Sequence, residues 1–204
     1  MNSTDHIAIS MIQRDEFVQR FLVARGKAVQ EYAEYEQSLA GLYAYLTGME
    51  RDIAGVTFFK LSQARARIAI LERLLHKKHG AKYNPFWNSL VKHMDAIDRK
   101  RNEIVHWGTV VHIGLTANGV QTNTLALEPP NFWDRTEGTP SIWEDDLYDF
   151  IVKVDYFARA INMFLAVMTG VPLDALPTWQ EIFLQPITYP PPDTHPLCRK
   201  RPAP

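Results

Sequence analysis

Residues 84–106 read NPFWNSLVKHMDAIDRKRNEIVH, and this stretch decides the fold because its apolar residues recur at the spacing of an α-helix. The dipeptide Asn84-Pro85 begins the stretch, and proline is favoured in the first turn of a helix. At about 100° per residue, most of the large apolar side chains fall within about 60° of the direction of Leu90. The spacing predicts a helix from Asn84 to about Val105. Its buried stripe is expected to hold Phe86, Trp87, Leu90, Met94, Ile97, Ile104 and Val105.

Three more segments show helical periodicity on either side of this helix. They cover about residues 15–47, about residues 54–78, and a segment that begins with a capping-box pattern at Ser141 to Glu144 and ends at Gly170. Residues 109–127 instead consist of two runs rich in Val, Thr, Ile and Leu joined by Asn118-Gly119, which predicts a β-hairpin.

These elements predict an all-α fold, because four amphipathic helices must each bury an apolar face against a neighbour. We expect an antiparallel four-helix-type bundle with the small β-hairpin inserted at about 109–127, before the last long helix. On this division residues 1–14 are an N-terminal extension, residues 15–170 are the helical domain, and residues 171–204 are a C-terminal extension. The proline-rich tail from Pro186 is expected to be mobile or polyproline-like.

Composition places the chain among globular proteins. Of its 204 residues, 46% are hydrophobic and 22% are charged, which excludes a disordered or collagen-like chain. A single cysteine, Cys198, excludes an internal disulfide and fits a reducing compartment. No apolar run approaches the ~20 residues that span a bilayer, and the first residues carry no secretory pattern. We therefore expect a cytoplasmic protein without a membrane segment.

Charge is distributed unevenly although the formal net charge is only −1. Residues 60–101 hold eleven basic and three acidic residues, whereas residues 128–193 hold three basic and eleven acidic residues. This asymmetry fits either a basic surface for a polyanion or an attraction between two helices, and charge alone favours the second interpretation.

One cation does not fit its surroundings in the helix 84–106. Arg101 lies about 20° from the centre of the apolar stripe, and a guanidinium there needs a carboxylate, backbone carbonyls or a ligand anion as its partner. Asp98, Asn102 and His106 follow one another at four-residue steps along one edge of the helix. Two interpretations stay open. These residues form an anion-binding site, or Arg101 pairs with an acid of another helix while His106 caps the C-terminal end of its own helix. The acids considered for that ion pair are Glu31, Glu34 and Asp155.

The hexapeptide Arg101-Asn102-Glu103-Ile104-Val105-His106 resembles the signature of the HEPN superfamily, an arginine, usually followed by a polar residue, and a histidine after a short gap. The resemblance covers roughly residues 15–170. It implies an all-α bundle and, for many members, a metal-independent endoribonuclease that uses no cofactor. Such a protein fits a toxin of a toxin–antitoxin pair or a phage-defence nuclease, with any antitoxin or regulator a separate protein.

Chemical roles for these residues follow from the needs of RNA cleavage through the 2′-hydroxyl, which requires proton transfer and positive charge at the phosphate. Our hypothesis gives proton transfer to His106, phosphate binding and charge stabilisation to Arg101, and orientation of the phosphate or imidazole to Asn102. Lys100 and Asp98 are the candidate substrate-binding residues. Each chain has one motif histidine, so a homodimer with a composite cleft would supply two.

Other interpretations of the sequence belong to different classes. A non-catalytic HEPN module that binds nucleotide, RNA or a protein partner is the alternative function, and the acidic balance after residue 128 favours it. A structural bundle with an ion-paired Arg101 is a third interpretation. His76, His79 and His93 could suggest a metal site, but no carboxylate or cysteine is spaced to complete a ligand set, so no metal ligands are predicted.

Overall fold

The computed structural model describes residues 3–115, 121–130, 140–172 and 176–198. These residues are mostly helical, with a small antiparallel sheet, which confirms the predicted predominance of helix. Over the described ranges no helix combines the length and the apolar character needed to cross a bilayer. The helices are α1 (Ser3–Thr47), α2 (Arg51–Lys60), α3 (Ala64–His79), α4 (Asn84–His106), α5 (Glu144–Thr169) and α6 (Leu176–Ile182). The strands are β1 (Gly108–Leu115), β2 (Gln121–Glu128) and β3 (Ile142–Trp143).

Helices α1, α4 and α5 were expected from periodicity. Helix α1 ends at Thr47 as predicted, with Gly48 at φ +71° after it, but it begins at Ser3 and shows no break at residue 15. In α4 the predicted stripe is buried except for Val105, which is half-buried, as is Arg101. Helix α5 ends at Thr169, followed by Gly170 at φ +71°, a backbone conformation that glycine adopts at low cost.

The single helix predicted over residues 54–78 is wrong, because the chain breaks between α2 and α3. The backbone of Leu61 is extended, with φ −73° and ψ 98°. Ala54 and Phe58 are the buried residues of α2, whereas Ile68, Leu71 and Leu75 are those of α3. On one continuous helix these two sets would face directions about 90° apart. The break therefore lets both sets be buried.

The hairpin is confirmed by antiparallel pairing of β1 with β2, in a register that runs from Gly108 opposite Glu128 to Leu115 opposite Gln121. Asn118-Gly119 lies outside the described residues. The sequence did not predict β3, which pairs with β2 on the side away from β1.

The capping box predicted at Ser141 is wrong, because residues 142 and 143 form β3 instead of helix. The cap lies two residues later, where the backbone N–H of Trp143 donates to Oδ2 of Asp146 at 2.8 Å. Ser141 Oγ instead contacts Oε1 of Glu128 at 3.4 Å.

The chain forms two compact units. The first comprises residues 1–30 and 100–151, and the second comprises residues 31–99 and 152–204. The first unit contains the sheet and the last two turns of α4. Its buried residues include Phe21, Ile104, Leu127, Ile142 and Leu147.

The second unit buries an aromatic cluster to which Phe183, the residue directly after the short helix α6, contributes its ring. The Phe86 ring lies 4.8 Å from Phe164 and 4.9 Å from Phe183, between ring centroids. The tail, expected to be mobile or polyproline-like, forms turns and contacts the rest of the second unit as far as residue 198. The backbone N–H of Ile187 donates to Ser89 Oγ at 2.8 Å, and Tyr189 lies 5.8 Å from Tyr156. The apolar residues between the prolines are what hold this segment against the unit, and residues 199–204 lie outside the described ones.

Candidate functional site at the end of helix α4

Arg101, Asn102 and His106 lie in the last two turns of α4, within the first unit. Arg101 is half-buried, and the side chains of Asn102 and His106 are exposed. Nη1 of Arg101 donates to Oδ1 of Asn102 at 3.0 Å. This hydrogen bond orients the Asn102 amide, because its carbonyl oxygen faces the guanidinium and its NH2 group is directed away from it. Two of the predicted catalytic residues are therefore in direct contact.

His106 is the last residue of α4 and lies one turn beyond Asn102. Helical geometry places its Cα about 7.5 Å along the axis from that of Arg101 and about 140° around it. The guanidinium and the imidazole of one chain therefore leave the helix in different directions. Asn102 lies between them in angle, four residues before His106 and in contact with Arg101.

A residue that sequence reasoning missed, Arg25 of α1, binds the end of α4. Nε of Arg25 donates to the carbonyl oxygen of Ile104 at 2.9 Å, and Nη2 donates to those of Val105 and Trp107, each at 3.0 Å. Nη1 also contacts Oγ1 of Thr109 at 3.3 Å. We call this arrangement of five residues the Arg25 cap. It satisfies carbonyl groups that the end of a helix leaves without partners in the helix.

Burial of Arg25 lowers the pKa of its guanidinium from the ordinary value, because desolvation disfavours the charged form. One signal in the sequence could have revealed this residue. Phe21, Ala24 and Ala28 form part of the buried stripe of α1, and Arg25 lies at the edge of that stripe, four residues after Phe21. An arginine within an apolar stripe therefore occurs at both positions that build this site, Arg25 and Arg101.

The two predicted substrate-binding residues have partners of their own. Lys100 Nζ lies 2.9 Å from Oε2 of Glu103, three residues later on α4. Asp98 accepts a hydrogen bond from the Tyr32 hydroxyl at 2.8 Å, within the second unit. Their roles in substrate binding stay predictions.

Asp98 belongs to a polar cluster that also contains the ion pair of Glu36 Oε1 with Arg67 Nη1 at 2.6 Å. Burial raises the pKa of Asp98, and the Tyr32 hydrogen bond opposes that rise in part. The cleft beside this cluster has room for about one water molecule, which is too little for a nucleotide. Its lining comprises Tyr32, Tyr35, Glu36, Leu39, Ala64, Arg67, Ile68 and Asp98.

Two of the three histidines considered for a metal site, His79 and His93, lie against aromatic rings. The His79 ring stacks on Tyr45, with centroids 6.2 Å apart, and the His93 ring lies 4.9 Å from Phe157. Burial and nearby lysines lower the pKa of His79. In the part of the chain that the structure describes, no three His, Cys, Asp or Glu side chains are grouped to hold a metal ion.

No family model matches this chain, and neither do any of the curated proteins or solved structures compared with it. The functional interpretation therefore depends on the residues at the end of α4.

Proposed function

We propose that this chain is a HEPN-type, metal-independent RNA endonuclease, a toxin or phage-defence nuclease, whose active site is built on the end of α4. The observation that carries the proposal is the contact of Arg101 with Asn102, one turn before the exposed His106. The arrangement offers a cation, an oriented amide and an imidazole within two turns of helix.

The proposed reaction is transesterification at an RNA phosphodiester. A neutral imidazole of His106 takes the proton from the 2′-hydroxyl, and the 2′-oxygen bonds to phosphorus. A protonated imidazole gives a proton to the 5′-oxygen as its bond to phosphorus breaks. The products are a 2′,3′-cyclic phosphate and a 5′-hydroxyl end. Arg101 stabilises the charge that develops on the phosphate oxygens.

A homodimer follows from this chemistry. The reaction needs a general base and a general acid, both of which are imidazoles in this mechanism, whereas each chain has one motif histidine. Because Arg101 and His106 of one chain diverge by about 140°, two copies related by a twofold axis supply the groups that one copy cannot aim at a single phosphate. We expect the cleavage rate to vary with the square of the protein concentration when the protein is diluted to concentrations at which the dimer dissociates.

The test compares His106→Ala with the unchanged chain on a fluorescent RNA oligonucleotide, with EDTA present. Loss of general acid–base catalysis should lower the rate by about 10²–10⁴-fold. His76→Ala is the matched control, because His76 is also an exposed histidine in the last turn of a helix. Circular dichroism should show the same helix content in all three proteins. Equal cleavage by His106→Ala would refute the proposal.

The second candidate function is a non-catalytic HEPN module that binds nucleotide, RNA or a protein partner. The acidic stretch 128–193 favours it, since an RNA-cleaving surface is usually more positive. Growth on expression separates the two candidates. Toxicity relieved by His106→Ala favours the nuclease, and harmless expression favours the binding module.

A further inference from the structure

We infer that Arg25 is a positioning residue for His106, and that the Arg25 cap holds the imidazole in the orientation that RNA cleavage requires. The inference rests on the proposed function, since it assigns Arg25 a part in the same site. Its structural half, that Arg25 sets the orientation of His106, can be measured without RNA.

The cap holds the backbone on both sides of His106. Arg25 binds the carbonyl oxygen of Val105, the residue before His106, and that of Trp107, the residue after it. The backbone N–H of Trp107 also donates to the carbonyl of Glu103 at 2.9 Å. The peptide units flanking residue 106 are therefore both fixed at the point where the helix ends and β1 begins. A side chain that leaves such a backbone has fewer orientations open to it.

Arginine suits this place better than lysine. The carbonyl end of a helix carries a partial negative charge that a cation stabilises. A planar guanidinium with several N–H donors can bind the carbonyls of Ile104, Val105 and Trp107 together, whereas an ammonium group is a compact point charge. Every hydrogen bond described for Arg25 goes to a carbonyl or hydroxyl oxygen of the chain itself. Arg25 thus acts on the backbone and is not placed here as a phosphate ligand.

Arg20 is the matched control. It lies on the same helix and in the same unit, and it pairs with Glu144 through Nε at 2.7 Å and Nη2 at 3.0 Å. Its side chain is 62% exposed and contacts the start of α5 instead of the end of α4. Removing Arg20 deletes one positive charge and two hydrogen bonds without touching residues 104–109.

The first experiment measures kcat and KM for RNA cleavage by Arg25→Ala, Arg25→Lys and Arg20→Ala. A displacement of about 1 Å at a catalytic group can cost about 100-fold in rate, so Arg25→Ala should lose about that factor in kcat. KM should change by less than about threefold, because the phosphate contacts stay in place. Arg25→Lys should lose an intermediate factor and Arg20→Ala almost none. Added guanidinium should restore the kcat of Arg25→Ala, and methylammonium should not.

The second experiment follows the His106 imidazole by NMR relaxation of its ring carbon in the RNA-free protein. Arg25→Ala and Arg25→Lys should increase the motion of this ring, while Arg20→Ala leaves it unchanged. If Arg25→Ala does not fold, Arg25→Lys decides the question by the same two readouts.

The two proposals fail in different ways. Wild-type kcat in the Arg25 variants, or a His106 ring whose motion they leave unchanged, overturns the positioning role. Absence of RNA cleavage by the unchanged chain refutes the proposed function and the catalytic half of this inference, whereas the NMR experiment still decides whether Arg25 orients His106.

Discussion

Replacing Arg101 with alanine should damage RNA cleavage far more than it damages stability. The side chain is half-buried, and its hydrogen bond to Asn102 lies at the surface. Losing such a hydrogen bond costs about 0.5–1.5 kcal/mol, and losing the packed part of the stem adds about 0.8 kcal/mol per buried CH2 group. We therefore expect the free energy of unfolding to fall by about 1–2 kcal/mol.

Cleavage should fall by about 10³-fold, which corresponds to about 4 kcal/mol of lost transition-state stabilisation. The assay pairs urea unfolding, followed by circular dichroism, with initial cleavage rates corrected for the folded fraction. Arg101→Lys keeps the charge without the planar guanidinium and should recover part of the rate. Breaking a buried ion pair costs about 3–5 kcal/mol. A fall of that size in the free energy of unfolding, with the cleavage rate unchanged, would refute the prediction and make Arg101 a structural residue.

Three further predictions concern the second unit. The pKa of Asp98 is raised in the folded chain, so its contribution to stability is complete below about pH 3.9, the usual unfolded pKa, and is lost as the pH rises through the folded pKa. Urea midpoints measured from pH 4 to 8 should therefore show Asp98→Asn gaining stability relative to the unchanged chain as the pH rises. A stability difference that does not change with pH would contradict this. Arg67→Ala removes the partner that lies 2.6 Å from the Glu36 carboxylate, which is only 18% exposed, so the free energy of unfolding should fall by about 3 kcal/mol. A loss below about 1 kcal/mol would show that the pair behaves as a surface ion pair. Phe183→Ala empties a position in the aromatic cluster beside Phe86 and Phe164, and should cost about 3–5 kcal/mol in urea unfolding; a loss under about 1 kcal/mol would mean that α6 does not stabilise the unit.

The parts of the fold that the sequence predicted are those in which one local pattern dominates. Helix α4 combines a proline in its first turn with one apolar stripe, and the pairing of β1 with β2 follows two β-branched runs. The break at Leu61 was missed because it depends on two buried sets that face different neighbours, which periodicity within a window does not reveal. The contacts of Ile187 and Tyr189 were not predicted because the interpretation of the tail rested on its proline content alone.

The sequence likewise indicated some residues of the candidate site and missed others. Spacing alone indicated Arg101, Asn102 and His106, because all three lie on one helix. Arg25 is seventy-six residues away from Arg101 in the chain, and its partners are backbone carbonyls, which carry no signature in the sequence. The partner of Asp98 was also missed, because Tyr32 belongs to another helix and is distant from Asp98 in the sequence.

The chemical nature of the RNA ends tests the central claim most directly. Purified protein is incubated with an RNA oligonucleotide in EDTA, and the ends of the fragments are determined by mass spectrometry. The account predicts 5′-hydroxyl and 2′,3′-cyclic phosphate ends from the unchanged chain and from His76→Ala, and intact RNA from His106→Ala. Fragments with 5′-phosphate ends, or the same fragments formed by His106→Ala at the same rate, would contradict it.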